Sequence, residues 1–221
     1  MKIAITGCGI AGTAVGCLLA HQGHEVTIYE QAKQCGPAGA GILIQPNGQA
    51  ILKSLGIYED VYRQSAQLNY IEALKHSGKR LIHLDYQRLR SDLGVHRGLL
   101  FRLLLSLAKQ AGAVLRENSR IVDYMVSSSG VSLKLESNEQ TELYDFIVAT
   151  DGSRSGLRSA SGIPHRSVEY EHGALWATGG CTAVNDKLFQ VVEGTRKLVG
   201  LLPIGNSECS FFWGISAAQF E

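Results

Sequence analysis

The sequence lacks an excess of charge of either sign. Its 221 residues contain 21 Lys and Arg against 20 Asp and Glu, which gives a formal net charge of +1 at pH 7. A nucleic-acid surface or an anionic-membrane surface requires clustered basic residues. We therefore expect no nucleic-acid partner and no dedicated membrane-binding surface.

Long apolar runs and a secretory leader are also missing. No stretch approaches the roughly 18 apolar residues that a membrane span needs. The N-terminus has no basic segment before an apolar core, and Thr6, Gly7 and Gly9 interrupt its first apolar run. These absences predict a cytoplasmic protein without a membrane span.

The cysteines lack the spacing of a metal site or of a CxxC redox motif. There are five, at Cys8, Cys17, Cys35, Cys181 and Cys209, with no metal-like spacing to histidine. Such cysteines are typical of small core residues or of free thiols in a reducing compartment. We therefore predict no metal site.

The sequence does have the composition of a globular protein. Hydrophobic residues make up 45% of it and charged residues 19%, which argues against a disordered chain or a coiled coil. The length allows one large domain or a domain and a half, and either could bury a substantial core.

The opening stretch, MKIAITGCGIAGTAVGCLLAHQGHEVTIYE, has the order of a dinucleotide-binding unit. An apolar strand over 2–6 leads into GCGIAG at 7–12, a helical pattern follows over 11–21, and a second strand ends at Glu30. This is the order of a Rossmann βαβ unit. The alternative is a glycine turn with a structural role only.

Each part of this unit has a physical role at a dinucleotide. Gly7 permits the tight turn, Gly9 leaves room for a pyrophosphate, and Gly12 allows close packing of helix and strand. The unpaired N–H groups of the helix N-terminus bind phosphate. Glu30 would accept hydrogen bonds from a ribose hydroxyl and repel a 2′-phosphate. The unit therefore predicts FAD or NAD rather than NADP, and it leaves the first two open.

A glycine-rich loop follows the acid, with Gly36, Gly39 and Gly41 around a proline, before a helix predicted over 48–55. This loop indicates either backbone laid against a flat ligand or a flexible connector. GAGILIQPNGQAILKSLGI at 39–57 resembles the GAGIxLxPNAxxxLxxLGL segment of the FAD-dependent aromatic hydroxylases. These are single-component flavoprotein monooxygenases, including salicylate-, urate- and 6-hydroxynicotinate-hydroxylase-like proteins, in which the segment passes near the flavin.

Two further segments carry the same resemblance. VHRGLLFRLLLSLAKQAG at 95–112 is similar to the family's RxxLxxxL helix start, in which the arginine, Arg97 here, reaches the FAD. The alternative is an ordinary surface arginine at a helix N-terminus. FIVATDGSRSGLRSASGI at 146–163 resembles the family's DG motif through Asp151, Gly152, Ser155 and Arg158. In the family this motif supports the FAD pyrophosphate region and affects the use of NAD(P)H.

The resemblance implies cofactor-binding residues but no catalytic base. Some relatives place a histidine where this sequence has Leu43. The segment near Ile121 and Val122 lies beside the adenine in relatives, and plain strand core is an equal alternative. Side-chain type alone makes candidate bases of His83, His96, His165, His172, Tyr70 and Tyr86, so we assign none. The implied cofactor-binding residues are Gly7, Gly9, Ile10, Ala11, Gly12, Glu30, Gln31, Gly41, Arg97, Ile121, Asp151, Gly152 and Arg158.

The implied fold class is α/β, or α+β overall. It combines a Rossmann-like FAD-binding domain of the glutathione-reductase type with an antiparallel β-sheet substrate domain. The two predicted domains are the FAD-binding domain over 1–68 and 96–164 and the substrate sheet over 69–95 and 165–221. The predicted strands are a hairpin over 67–86, three strands over 119–149 that return to the nucleotide sheet, and antiparallel strands beyond about residue 165.

The sequence departs from the family at its C-terminal end. It stops at Glu221 without the GDA or GDS of the family's GD motif and without the family's C-terminal helices. We therefore expect a substrate domain that is incomplete at the C-terminus. Such a chain would be a fragment of a longer hydroxylase, or a truncated protein completed by a homo-oligomer or a complementing chain.

The resemblance also implies a reaction. Such a protein would bind FAD, use NAD(P)H as a transient co-substrate, and hydroxylate a small aromatic or other activated ring with O2. The sequence has no second GxGxxG, which agrees with a co-substrate that has no Rossmann domain of its own. Two alternatives stay open: another FAD or NAD oxidoreductase, and a non-catalytic nucleotide-binding remnant.

Overall fold

The computed structural model describes residues 1–36, 39–85, 91–194 and 197–219. The chain forms two compact units. Unit 1 comprises Met1–Pro37 and Phe101–Arg166, and unit 2 comprises Ala38–Leu100 and Ser167–Glu221. This division differs from the predicted domains mainly at residues 38–68, which cluster with unit 2.

The described residues form five α-helices and fifteen β-strands. The first part of the chain forms β1 (Lys2–Thr6), α1 (Ile10–His21), β2 (Glu25–Tyr29), β3 (Gly41–Ile44), α2 (Pro46–Ser54), α3 (Tyr58–Tyr62), β4 (Ala66–Leu68), β5 (Tyr70–Lys75), β6 (Arg80–Asp85), β7 (Asp92–His96) and α4 (Arg97–Gln110). The second part forms β8 (Val114–Arg116), β9 (Ile121–Ser127), β10 (Gly130–Leu135), β11 (Phe146–Ala149), α5 (Gly156–Ala160), β12 (His172–Gly180), β13 (Lys187–Glu193), β14 (Lys197–Gly205) and β15 (Glu208–Ser216). A short 3₁₀ helix follows at Ala217–Gln219.

A parallel sheet in the order β11-β1-β2-β8 forms the centre of unit 1. Ile3, Ala4 and Ile5 of β1 are all buried, as expected for a parallel strand that is covered on both faces. α1 connects β1 to β2, and a Cβ on Gly16 of this helix would lie 2.8 Å from the Ile28 side chain. The predicted strand–helix–strand unit is confirmed.

β9 and β10 form an antiparallel hairpin next to this sheet. One buried cluster contains Ala4 and Tyr29 of the sheet, Val131 and Leu133 of the hairpin, and Tyr144 from the segment between β10 and β11. β11 then joins the parallel sheet, with Ala149 opposite Thr6. The predicted return of the chain to the nucleotide sheet is therefore confirmed for β11, whereas β9 and β10 form a separate sheet.

A six-stranded sheet in the order β12-β15-β14-β13-β5-β6 forms much of unit 2. Its neighbouring strands are antiparallel except for β13 and β5, which run parallel. The predicted antiparallel arrangement is therefore wrong at this pair. A parallel pair needs a long crossover, which the chain between β5 and β13 supplies. The hairpin predicted over 67–86 is observed as β5 and β6, and Tyr86 lies outside the described residues.

A second sheet of unit 2, in the order β3-β7-β4, was not predicted. Residues 41–44, predicted as part of a loop, pair with β7 in the register Gly41 to His96. The proline of that loop, Pro37, lies outside the described residues. A buried cluster of Leu68, Leu202 and Ile204 contains residues of both unit 2 sheets. No helix among the described residues combines the length and the apolar character needed to cross a membrane.

Candidate functional site

A cavity of about 730 Å³ opens in unit 1 at the carboxyl ends of β11, β1 and β2. Ligand sites of open α/β sheets lie at this end of the strands. Four segments line the cavity: the end of β1 with its glycine turn, the end of β2, residues 119–122 before and at the start of β9, and residues 150–156 from the end of β11 to the start of α5. The lining residues are Thr6, Gly7, Gly9, Tyr29, Glu30, Gln31, Ser119, Arg120, Ile121, Val122, Thr150, Asp151, Gly152, Arg154 and Gly156.

Gly7 and Gly12 are glycines because of the protein's own packing. Gly7 has a φ of 94°, a conformation that favours glycine. A Cβ on Gly7 would lie 2.6 Å from the carbonyl oxygen of Thr150. A Cβ on Gly12 would collide with the carbonyl oxygen of Gly7, so Gly12 allows α1 to begin directly against the turn.

Gly9 differs from these two glycines. It is the N-cap of α1 with a φ of −87°, which any residue can adopt, and a Cβ there would meet no protein atom within 4 Å. The packing of the described residues therefore does not require glycine at this position. The first turn of α1 contains no acidic residue, and the first N–H groups of a helix have no intrahelical acceptor. This end of the cavity is thus open, electropositive and rich in N–H donors.

Glu30 is held across the glycine turn by backbone hydrogen bonds. Its Oε2 accepts from the N–H of Cys8 at 2.7 Å, and its Oε1 accepts from the N–H of Ala32 at 2.9 Å. Each carboxylate oxygen has a second lone pair. The carboxylate can therefore keep its position and still accept a hydroxyl group of a ligand in the cavity.

The segment between β8 and β9 forms the wall beyond Glu30. The N–H of Ser119 donates to the Glu30 carbonyl at 2.7 Å, which fixes the segment to the end of β2. Ile121 packs against the buried cluster of unit 1 and also lines the cavity. Tyr29 lines it from the end of β2, and its hydroxyl lies 2.8 Å from that of Tyr144. Burial, with this hydrogen bond, raises the pKa of Tyr29.

The segment after β11 forms the opposite wall. The Thr150 hydroxyl donates to the carbonyls of Thr6 and Gly7, at 2.8 and 3.1 Å. Ser155 caps α5 by accepting from the N–H of Arg158 at 3.0 Å. The Arg158 guanidinium donates to the Ser153 carbonyl at 2.6 Å, and Arg158 is not among the lining residues.

Two predicted cofactor residues belong to unit 2, whereas the described cavity lies in unit 1. Arg97 is the first residue of α4, its side chain is exposed, and its N–H donates to the Ala40 carbonyl at 3.1 Å. A Cβ on Gly41 would lie 2.6 Å from the Ile204 side chain. Packing within unit 2 therefore accounts for glycine at position 41.

The structure brings part of the predicted set together. Ile10, Ala11 and Gly12 form the start of α1, directly after the lining residue Gly9. The predicted residues that line the cavity are Gly7, Gly9, Glu30, Gln31, Ile121, Asp151 and Gly152. Val122, in the segment that the resemblance places beside the adenine, also lines it. The lining residues that the sequence did not indicate are Thr6, Tyr29, Ser119, Arg120, Thr150, Arg154 and Gly156. Most of them lie close to the ends of predicted strands, and this position in the sequence could have indicated them.

Neither a metal site nor a catalytic base emerges from the described part of the chain. It holds no group of three His, Cys, Asp or Glu side chains placed to bind a metal ion. All five cysteines are free, and burial raises the pKa of the Cys8 thiol. His96 accepts from the N–H of Gly98 at 3.0 Å, and His83 stacks on Tyr70 with 5.5 Å between ring centroids.

Sequence comparison relates the chain to flavoproteins. The model of a family described as "FAD binding domain" matches residues 1–210. The chain is 30% identical over 187 residues to 6-hydroxynicotinate 3-monooxygenase of Bordetella bronchiseptica, an alignment that covers 80% of this chain and 48% of the relative. The chain spans about half the length of the curated relatives that it matches.

Structure comparison shows the same fold in flavin hydroxylases. The tetrameric form of 2-methyl-3-hydroxypyridine-5-carboxylic acid oxygenase superposes with a TM-score of 0.87 at 22% identity, over 98% of this chain and 59% of the other. HpxO of Klebsiella pneumoniae, complexed with FAD and uric acid, superposes with a TM-score of 0.83 at 22% identity, over 98% and 57%. The chain therefore has a mixed α/β fold that contains a FAD-binding domain like that of the flavin hydroxylases.

Proposed function

We propose, from the premise that this chain belongs to the family of FAD-binding domains, that the protein is a FAD-dependent monooxygenase. It would hydroxylate an aromatic or other activated ring with NAD(P)H and O2. The resemblance seen in the sequence is confirmed, because curated relatives of the chain are named as monooxygenases of hydroxylated or carboxylated rings. The two alternatives, another oxidoreductase and a non-catalytic remnant, gain no support from these relatives.

The observation that supports FAD most directly is the environment of Gly9. A glycine that the surrounding protein does not require lies beside free helical N–H groups, and the N–H of the residue before it, Cys8, holds the Glu30 carboxylate. A pyrophosphate needs close backbone approach and N–H donors, and a ribose needs a hydrogen-bond acceptor. The residues present therefore fit the adenosine diphosphate part of FAD.

We assign the cofactor-binding roles along the cavity. Gly7, Gly9, Ile10, Ala11 and Gly12 would form the turn and donate N–H groups to the pyrophosphate. Glu30 and Gln31 would bind the adenosine ribose, and Ile121 would pack beside the adenine. Asp151 and Gly152 would lie on the pyrophosphate side.

Three further residues of the predicted set have less direct support. Arg97 and Gly41 are proposed to act on the cofactor on the basis of the family resemblance alone. Arg158 is proposed to act indirectly, since its guanidinium holds the Ser153 carbonyl and so fixes the loop after Gly152. The assignment of the FAD-binding domain to the glutathione-reductase type belongs to the same proposal.

The chemistry would come from the cofactor and the positioning from the chain. Bound FAD would accept a hydride from NAD(P)H and activate O2 for transfer of one oxygen atom to the ring. The glycine turn would fix one end of the cofactor through backbone contacts. Glu30 would fix the ribose because its own position is set by the N–H groups of Cys8 and Ala32.

A small oxygenated aromatic or heteroaromatic ring is the substrate class that we propose. One relative is named for 6-hydroxynicotinate, and one structural neighbour was solved with uric acid. We also propose a cytoplasmic location, which agrees with five free cysteines. A homo-oligomer is a further part of the proposal, since one structural neighbour is described as tetrameric.

The test combines FAD binding with turnover. Purified protein is loaded with FAD, and NAD(P)H oxidation is followed with and without a panel of hydroxylated pyridines, benzoates and purines. We expect at least one ring to stimulate oxidation and to gain one oxygen atom from isotopically labelled O2 in mass spectrometry. FAD-dependent turnover without oxygen transfer would indicate another oxidoreductase, and absence of FAD binding would indicate a remnant; either result contradicts the proposal.

A further inference from the structure

We propose that Arg154 is the side chain that pairs with the pyrophosphate of the cofactor in this cavity, and that Arg158 is not. The inference rests on the proposed function and adds a specific anion-binding residue to it. Arg154 was not among the residues that the sequence indicated. The inference is based on three features of Arg154: it lines the cavity, its side chain has no partner among the described residues, and its environment differs from that of Arg158.

The strand order determines which wall carries Arg154. β11 lies next to β1, whereas the segment between β8 and β9 lies on the far side of β2. A Cβ on Gly7 would lie 3.1 Å from the Cα of Asp151, so the segment after β11 directly adjoins the glycine turn. Arg154 follows three residues later and lines the same cavity as Gly9. It therefore belongs to the pyrophosphate side, and Glu30 to the ribose side.

The other ionisable side chains of the lining already have partners or carry the wrong sign. Arg120 pairs with Glu136 at 3.1 Å, and Glu30 accepts two backbone hydrogen bonds. Asp151 is a carboxylate and supplies no cation to pair with a phosphate. For Arg154, no ion pair or hydrogen bond of the side chain occurs within the described part of the chain, and the residue is exposed. Its charge is thus available to a ligand.

Arg158 lies four residues away and has a different environment. Its N–H bonds to the Ser155 hydroxyl and its guanidinium to the Ser153 carbonyl. These contacts stabilise the loop after Gly152 and the short helix α5, and Arg158 itself is not a lining residue of the cavity. Arg158 is therefore a matched control of the same residue type on the same segment.

The chemistry of the side chain suits the proposed ligand. A guanidinium presents parallel N–H donors that match two phosphate oxygens, and such charge-assisted bonds are stronger than neutral ones. The N-terminus of α1 supplies backbone donors on the adjoining side of the cavity. A pyrophosphate between them would receive both, whereas an uncharged nucleoside would gain little from Arg154.

The test measures binding of three ligands to four proteins. Dissociation constants for adenosine, ADP and FAD are determined by titration calorimetry, without NAD(P)H, for the wild type and for Arg154→Gln, Arg154→Lys and Arg158→Gln. We expect Arg154→Gln to weaken ADP and FAD about tenfold and adenosine less than about twofold. Arg154→Lys should recover part of the loss. Arg158→Gln should lower the unfolding midpoint and should weaken ADP binding less than Arg154→Gln does.

Several outcomes would overturn the inference and leave the proposed function standing. The first is that Arg154→Gln binds ADP and FAD as tightly as the wild type does. The second is that Arg154→Gln loses as much affinity for adenosine as for ADP. The third is that Arg158→Gln keeps its stability and loses more affinity for ADP than Arg154→Gln does. In a parallel turnover assay of the same variants, an effect of Arg154→Gln confined to the KM for NAD(P)H would assign Arg154 to the co-substrate instead. Failure of the wild type to bind FAD or ADP would contradict the proposed function itself.

Discussion

At the scale of single residues, the glycines of one motif are present for different reasons. Gly7 and Gly12 make room for protein atoms, whereas a Cβ on Gly9 would meet none. The sequence predicted all three roles, because the GxGxxG spacing already implies a turn, a ligand approach and a close helix packing. The structure shows at which of these glycines an added methyl group would collide with the protein, and substitutions can test this.

Gly9→Ala should therefore affect FAD binding, whereas Gly12→Ala should affect the stability of the fold. We expect Gly9→Ala to leave the free energy of unfolding within about 1 kcal/mol of the wild type and to weaken FAD binding at least tenfold. Gly12→Ala should destabilise the fold by about 1–3 kcal/mol or more, because its methyl group meets the Gly7 carbonyl. Urea unfolding and FAD titration measure the two quantities. Unchanged FAD affinity in Gly9→Ala would refute the assignment of the turn.

Arg154 shows what the sequence could not predict at this scale. The DG segment contains two arginines, and the resemblance assigned the cofactor contact to Arg158. The directions of the Arg154 and Arg158 side chains depend on the Ser155 cap and on the loop after Gly152. Gly152 itself has a φ of 87°. Such details arise from local backbone geometry and leave no periodic signal in the sequence.

At the scale of elements, strands with a strong apolar pattern were predictable and short strands that contain glycine were not. β1, α1, β2, β5, β6 and β11 lie where the sequence indicated them. β3 and β7 include Gly41 and Gly94, residues that ordinarily indicate loops. Their glycines are explained by contacts across unit 2, since a Cβ on Gly94 would collide with the Pro203 carbonyl.

The link between β2 and the segment that follows β10 is also testable. The hydroxyls of Tyr29 and Tyr144 lie 2.8 Å apart, the rings are edge-on, and Tyr144 is 3% exposed. Tyr29→Phe and Tyr144→Phe should each destabilise the fold by about 1–3 kcal/mol, because each leaves a buried hydroxyl unpaired. The double variant should lose less than the sum of the two, by about 1 kcal/mol in urea unfolding. Strictly additive losses would show that the two hydroxyls do not interact.

At the scale of the whole molecule, the sequence predicted a discontinuous organisation with different boundaries. Residues 38–68 carry a family segment that passes near the flavin, and this favoured assigning them to the cofactor domain. They belong to unit 2 because β3 and β4 pair with β7. Pairings between strands distant in sequence determine such boundaries, and a single sequence does not reveal them. The family match over residues 1–210 includes parts of both units.

The central claim is that the cavity of unit 1 holds the adenosine diphosphate part of FAD. Hydrogen–deuterium exchange of the backbone amides, with and without saturating FAD, tests it most directly, because the first N–H groups of α1 have no intrahelical acceptor. We predict slower exchange with FAD at residues 9–12, 30–32, 119–122 and 151–154. FAD bound at saturation with unchanged exchange in all four segments would contradict the claim.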